Sequence, residues 1–279
     1  MMVSPTNFRE VFMDHLSNAQ TQLREMDTMA AADSPVHRLH PLCKLLVTVF
    51  YIVVAVSFPK YNITGLAVLL LYPTLMFQAA NIPVRLCFYR LRIVLPLVCA
   101  VGIANPFLDH TPMLCLGNCV ITGGVFSMLT LMLKGIFALM ASFLLIATTP
   151  MDTLCAALRK LRVPSVLVTL LLLTYRYIGV MLKEVSVMTQ AYKLRAPGQK
   201  GIHISAWGSF LGQLLLRSMD RAEELYSSMQ LRGFRGEFYY AEAPQCQASD
   251  ALFAVGCCGA LLVARIFNLA TLLGNLIVR

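Results

Sequence analysis

Apolar residues in this chain are gathered into long runs, and the lengths of those runs are the first guide to its elements. Crossing the hydrocarbon of a bilayer takes about 20 mostly apolar residues. Five stretches approach that length, at 42–58, 63–78, 91–105, 120–149 and 251–278. A sixth, 163–182, contains TLLLLTYRYIGVML and passes the same test, so apolarity alone does not say whether it crosses. Beyond it the pattern changes. Pro164 suits the first turn of a helix running to Arg195, where Ala196-Pro197-Gly198 stops it. A second long helix is predicted from about Ser205 to Arg232, stopped by Gly233. In it Trp207, Phe210, Leu211, Leu214, Leu215, Ala222, Leu225 and Met229 recur at helical spacing, while Arg217, Asp220, Arg221 and Glu224 mark the other face. That helix is amphipathic and is not expected to span.

Basic residues orient the runs, because Lys and Arg near the ends of a span favour the cytoplasmic side. The connection 81–92 holds Arg85, Arg90 and Arg92, and the connection 150–162 holds Arg159, Lys160 and Arg162. The connection 106–119 holds neither Lys nor Arg. The first two are therefore placed inside and the third outside, which puts the amino-terminal segment inside as well. If 163–182 crossed, the stretch 183–235 would lie outside with eight Lys/Arg against four acids, contrary to the rule. Either 163–182 stays on the cytoplasmic side as a buried or interfacial helix, or 120–149 is a hairpin of two short spans broken near Lys134. The first is preferred, since neither half of 120–149 reaches the length of a span.

Composition agrees with a polytopic membrane protein. Of 279 residues, 58% are hydrophobic and only 13% charged, with a net charge of +9, whereas a soluble domain carries about 25% charged residues. Nucleic acid is the weaker reading of the basic excess. The nine cysteines are an odd number, mostly within apolar runs and without a Cys-x-x-Cys pair, so they read as small packing residues. Cys115 and Cys119 share one candidate loop and are the pair that could bridge or bind metal. The start, MMVSPTNFREVFMDHL, has acids and no apolar core, so no cleavable signal peptide is expected. The expected fold class is all-α: about five transmembrane helices plus long cytoplasmic coupling helices. Its expected organisation is a cytoplasmic segment 1–41, spans within 42–149, coupling helices in 150–235, a linker 236–250 and a last span in 251–279.

Both long helices end alike, in TQAYKLRAPG and SSMQLRGFRG. A cation in the last turn suits the helix macrodipole, which is a sufficient structural account of either Arg195 or Arg232 alone. Two such tips, on helices of about 45 Å each at 1.5 Å per residue, suggest two equivalent contacts. A guanidinium fork at each is suited to a carboxylate in a partner's groove. Together with SPVHRLHPLCKLL, TTPMDTLCAALRKLRVP and LLLLTYRYIGVMLKEV, these tips resemble the transmembrane T component of energy-coupling-factor transporters, in its cobalt-type CbiQ branch.

That resemblance covers nearly the whole chain. It implies that two coupling helices cross and that the motif arginines dock in grooves on two copies of an ABC-type ATPase. Carried over, the docking residues are Leu194, Arg195 and Ala196 at one tip and Leu231, Arg232 and Gly233 at the other. The family often has Ala before the Arg, so both leucines depart from it, and His40 stands where an Asp is more usual. It further implies a substrate-binding membrane subunit, allows a small accessory membrane subunit, and places ATP and Mg in the ATPases. Cobalt is the implied cargo, with nickel close behind.

Independently of the resemblance, the chain has no G-x-x-x-x-G-K-[ST] loop and no spaced Ser/His/Asp or Glu/His array, so no catalytic residue and no cofactor are assigned. His37, His40 and Cys43 could be drawn as a metal site, but interfacial anchoring is preferred. Lys134, costly within a span, either has a function or pairs inside the bundle. Arg176 and Arg265 are expected to snorkel or pair. A self-sufficient secondary carrier would show midmembrane acids or repeats, and a lipid-modifying enzyme would need more than Asp152 at the membrane face.

Overall fold

The computed structural model describes residues 7–59, 63–92, 94, 96, 98–100, 102–103, 112–116, 119–197, 202–236 and 247–266. The elements in chain order are α1 (Asn7–Ala30), α2 (Pro35–Arg38), α3 (Pro41–Ser57), α4 (Ile63–Leu69), α5 (Leu71–Ala79) and α6 (Val84–Leu91). There follow β1 (Pro112–Leu116), β2 (Cys119–Thr122), α7 (Gly123–Thr148), α8 (Met151–Lys160), α9 (Ser165–Arg195), α10 (Ile204–Leu231) and α11 (Ala248–Ile266). The protein is an all-α polytopic membrane protein whose one departure, among the described residues, is the short antiparallel pair β1–β2. Three helices are long and apolar enough to cross a membrane, at Phe126–Thr148, Ser165–Arg195 and Ala248–Ile266, with shorter apolar helices at Pro41–Ser57 and Gly65–Ala79. Contacts divide the chain into two units: Met1–Met29 with Met151–Ala241, the arm unit, and Ala30–Pro150 with Glu242–Arg279, the membrane unit.

In the membrane unit α3 and α7 run antiparallel, and each carries the lysine that closes the other's carboxyl end. A helix leaves its last carbonyls without intrahelical donors, and in hydrocarbon no water can supply them. Near the start of α3, the Lys44 ammonium donates to Thr148 O at 2.7 Å, on the last residue of α7, and to His37 O at 3.4 Å. Within α7, the Lys134 ammonium donates to Val56 O at 2.9 Å and to Phe58 O, at the end of α3. Arg265 of α11 donates to Ser57 O at 3.0 Å and lies 4.8 Å from the centre of the Phe58 ring. Both lysines and Arg265 therefore pair inside the bundle.

Between those caps the helices bury one face and leave the other to lipid. Phe137, Met140, Ala141, Phe143, Leu144 and Ala147 of α7 supply the centre of two apolar clusters. The first is completed by Met76, Phe77, Cys87 and Leu91, with Phe77 stacked on Phe143 at 6.3 Å, and the second by Tyr51, Val54, Leu66, Leu69 and Leu261. On the outside of α3, Leu46, Val49, Val53 and Val56 are exposed at spacings of one helical face, as lipid contact requires. Gly135 admits the third apolar run, since a Cβ there would lie 2.7 Å from a Val98 methyl.

The structure alters several expectations. The run 63–78 is two helices, because Pro73 cannot donate to Leu69 O. The freed carbonyl accepts the Tyr51 hydroxyl at 3.1 Å, and Thr74 Oγ1 reaches back to Leu70 O and Leu71 O, each at 2.9 Å. Helix α7 is continuous through Lys134, which removes the broken hairpin considered for 120–149, and it begins three residues later than the apolar run because 120–122 belong to β2. Of the third run, residues 93, 95, 97, 101, 104 and 105 lie outside the described residues, as does 267–278 of the last. The β1–β2 register pairs Cys115 with Val120 and Leu116 with Cys119; the side chains of the two cysteines lie outside the described residues.

In the arm unit α8 is amphipathic, burying Cys155, Ala156 and Ala157, and it ends in a left-handed residue, Arg162 at φ 63°. There Val163 N–H donates to Leu158 O at 3.3 Å and Arg162 N–H to Arg159 O at 3.0 Å, the pairing that closes a helix through a left-handed residue. Helix α1 was not expected from the sequence. Its carboxyl end is joined to α9 by the Tyr175 hydroxyl, which donates to Asp27 Oδ1 at 2.5 Å.

Two cysteines outside the spans give a test of this packing. Burial pushes the Cys87 thiol up to about 11, and burial, with Asp152 adding to it, raises Cys155. A raised thiol is protonated and unreactive at neutral pH. Maleimide should therefore modify both slowly at pH 7 in the native protein, faster as the pH climbs towards about 11, and at once in detergent that unfolds it. Rapid native labelling of Cys87 or Cys155, read by peptide mass, would contradict the packing.

Candidate functional site: two arginine tips on paired helices

The candidate site is built on α9 and α10, which lie in the same unit and meet near their middles. At the meeting point Arg217 of α10 forms an ion pair with Glu184 of α9. Val180, Met181, Asp220, Arg221 and Glu224 complete the lining of this charged cleft, and Arg221 pairs with Glu224 one turn on at 3.3 Å. Arg217 is thus the tie between the arms, although the sequence marked it only as part of a polar face. Near the far end of α9 the Tyr192 hydroxyl accepts the His203 N–H at 3.4 Å, so the start of α10 lies close to the end of α9. His203 caps α10, its Nδ1 accepting the Ser205 N–H at 3.4 Å.

Each tip is finished by its own chemistry. At the first, α9 ends on Arg195, the Ala196 N–H makes the last bond to Tyr192 O at 3.0 Å, and Pro197 has no N–H with which to continue. At the second, the Phe234 N–H reaches Met229 O at 3.0 Å and the Gly233 N–H reaches Gln230 O at 2.9 Å, a Schellman closure with Gly233 at φ 83°. That backbone conformation costs an L side chain roughly 1–2 kcal/mol and costs glycine nothing.

These closures leave the docking candidates projecting. Leu194 is 84% exposed and Leu231 90%, each next to an exposed arginine. Among the described residues neither Arg195 nor Arg232 has an ion-pair or side-chain hydrogen-bond partner, while Arg38, Arg217 and Arg221 do. A cation and a large apolar side chain, both fully wet at a helix end, form the kind of pair a partner's pocket can desolvate. Because α10 is 28 residues long, the tips stand at its two ends, about 42 Å apart along the helix at 1.5 Å per residue.

The other sequence candidates have structural roles. His40, 2% exposed, caps α3, its Nδ1 accepting the Leu42 N–H at 3.1 Å. It thereby does what an Asp would do at the same place, which accounts for its departure from the family pattern. The His37 Nδ1 is 2.7 Å from Ser34 Oγ, and Cys43 is buried in α3. Among the described residues no group of three or more His, Cys, Asp or Glu is placed to hold a metal ion. Before α3, Asp33 is held below the usual carboxylate range by its hydrogen bonds from Arg38, at 2.8 and 2.7 Å, and by that residue's charge.

A profile of CbiQ, described as cobalt transport protein, matches residues 32–240. The chain belongs to this CbiQ cobalt transport family. Both tips and the crossing lie within the match, and α1 precedes it. The chain is 34% identical over 96 residues to the cobalt transport protein CbiQ of Rhodobacter capsulatus, covering 33% of this chain and 38% of that one. It is 31% identical over 91 residues to the nickel permease LarQ of Lactiplantibacillus plantarum, covering 33% of each. To the energy-coupling factor transporter transmembrane protein EcfT of Limosilactobacillus fermentum it is 25% identical over 224 residues, 72% of this chain and 80% of that one. The chain spans well under half the length of the first two of these curated relatives, whereas its likeness to the third runs through most of both chains.

The tie at the crossing is directly testable. An exposed ion pair contributes roughly 0.2–1 kcal/mol in a double-mutant cycle. Arg217→Glu should lower the stability of the detergent-solubilised protein, and adding Glu184→Arg should restore most of the loss. A coupling energy indistinguishable from zero in that cycle would remove Arg217 from the contact between the arms.

Proposed function

We propose that this CbiQ-family chain is the non-catalytic transmembrane coupling subunit of an ATP-driven energy-coupling-factor importer for a transition metal ion. The observation that carries the reading is the pair of arginine tips, neither of them partnered among the described residues. Two like contacts, separated by the length of α10, match the needs of two copies of one ATPase better than one extended interface on a single partner. On this reading ATP and Mg are bound by the ATPases. Closure of the two ATPases moves the tips, and α9 and α10 carry that motion about their crossing to a substrate-binding membrane subunit.

Exposed Val166, Leu167, Leu170 and Leu171 on α9 support such a membrane partner, since a helix with this apolar face needs lipid or another protein against it. The cobalt transport protein and the nickel permease among the relatives support cobalt as cargo, with nickel the alternative. The chain then sits in the cell membrane with its amino terminus and both arms in the cytoplasm. Helix α9 stays on that side despite its length and apolarity, because the basic stretch beyond it follows the orientation rule only there.

Replacing a docked arginine with Ala leaves a partner carboxylate unpaired and costs about 2–5 kcal/mol where the pair is buried. Removing a mere helix-end charge costs about 0.3–1 kcal/mol. Arg195→Ala with Arg232→Ala should therefore abolish co-purification of the ATPase and metal uptake while the chain still inserts in the membrane. Arg221→Ala, whose exposed pair lies within α10, serves as the control and should leave both unchanged. Normal ATPase recovery and transport by the double variant would make the two arginines helix caps and end this assignment.

A further inference from the structure

The chain passes between its two units three times, after Met29, after Pro150 and after Ala241. On the membrane-unit side of the first two passages a carbonyl of the segment is held by the same ammonium, and beyond the third α11 brings Phe253 to the cavity that Lys44 lines. Lys44 donates to His37 O at 3.4 Å, on the segment that enters after the first passage. It donates to Thr148 O at 2.7 Å, on the segment that leaves before the second. After the third passage, Asp250 in the first turn of α11 acts on the Lys44 charge through space, without a bond between the two side chains. Asp250 is itself buried, with Oδ2 accepting the Gln247 N–H at 3.1 Å.

This arrangement is more than a helix cap. Lys134 makes the same kind of cap at the other end of α3, yet its acceptors Val56 and Phe58 adjoin none of the three passages. Lys44 is 5% exposed and lines a cavity of about 10 Å³ with Val36, Thr48, Tyr72, Thr148 and Phe253. Those residues come from the same three segments and from the helices packed on them. A charge desolvated to this degree is held by its acceptors and holds them in turn, so a pull on one segment is shared with the other two.

We infer that Lys44 is a positioning residue for energy coupling: it binds together the three segments that join the membrane unit to the arms, so that they move as one. The inference rests on the coupling-subunit reading above. It assigns Lys44 no contact with ATPase or with metal; its effect is on how much transport each hydrolysed ATP yields.

The test uses the complex with its ATPases and substrate-binding subunit, reconstituted in vesicles, with ATP hydrolysis and uptake of radiolabelled cobalt measured together. Lys44→Met should co-purify with the ATPase and hydrolyse ATP, while uptake per ATP falls about tenfold, within the range by which residues remote from both sites alter coupling. Asp250→Asn keeps an acceptor for the Gln247 N–H and removes only the charge, and it should lower uptake per ATP by a smaller factor. Lys134→Met should lose thermal stability as Lys44→Met does but keep the wild-type ratio, and Lys44→Arg should recover part of it.

Equal loss of the ratio in Lys44→Met and Lys134→Met would reduce Lys44 to a cap, and a wild-type ratio in Lys44→Met would overturn the inference outright. If Lys44→Met does not assemble, Asp250→Asn decides: an unchanged ratio overturns the inference and a lowered one supports it. A wild-type chain that recruits no ATPase would overturn the coupling-subunit reading, and this inference with it.

Discussion

The membrane unit depends on one constraint: the last carbonyls of a helix inside hydrocarbon must find donors that water cannot provide. Here α3 and α7 solve it for each other, Lys44 closing α7 and Lys134 closing α3. Lys44 to Val56 is about 18 Å of helix and Lys134 to Thr148 about 21 Å, so the two caps fix nearly equal lengths of antiparallel contact from both ends. The register that results sets Phe137, Met140, Ala141 and Leu144 between the two apolar clusters. A slip of one turn, about 5.4 Å, would strand both ammonium groups at once. The lysines thus specify the pairing as well as stabilising it. Tyr51 follows the same logic where Pro73 frees the carbonyl of Leu69.

Much of this was readable in the sequence, because its signals are local. Pro164 and Pro197 bracket α9, Gly233 closes α10, and the helical spacing of Phe210, Leu214 and Leu225 marks α10 as amphipathic. The tips were equally readable, since a helix end is written in four or five consecutive residues. What escaped was whatever depends on residues far apart in the chain. Arg217 sat on a polar face with no sign that Glu184, 33 positions earlier, would meet it. His40 read as an anchor or a ligand because its capping role depends on the backbone turning at Pro41. Lys134 was left open between pairing and function, since its acceptors lie 76 and 78 residues away. A run of apolar residues also hides a proline's effect, which is why 63–78 read as one helix.

The two units differ in how firmly they are held, and the difference suits the proposed work. In the membrane unit the charges that matter are buried or partly buried and bonded to backbone, so breaking one leaves a carbonyl or an ammonium unpaid in low dielectric. In the arm unit the tie between α9 and α10 is an exposed ion pair, with side chains 43% and 32% accessible. Pairs of this kind are weak, and water can replace either partner. That ion pair is therefore a weak contact, while the arms themselves, at 31 and 28 residues, are continuous helices. Beyond the crossing, Glu184 to Arg195 is about 17 Å of helix and Arg217 to Arg232 about 22 Å. The Arg195 end is tied a second time, by the His203 N–H to the Tyr192 hydroxyl, so a change of angle at the ion pair would displace mainly the Arg232 tip. The proposed coupling would then run through stiff arms on a weak tie, joined by the chain to a unit locked by its own carbonyls. That division follows from where water is: it weakens the charge pair at the crossing, and its exclusion strengthens those between the spans.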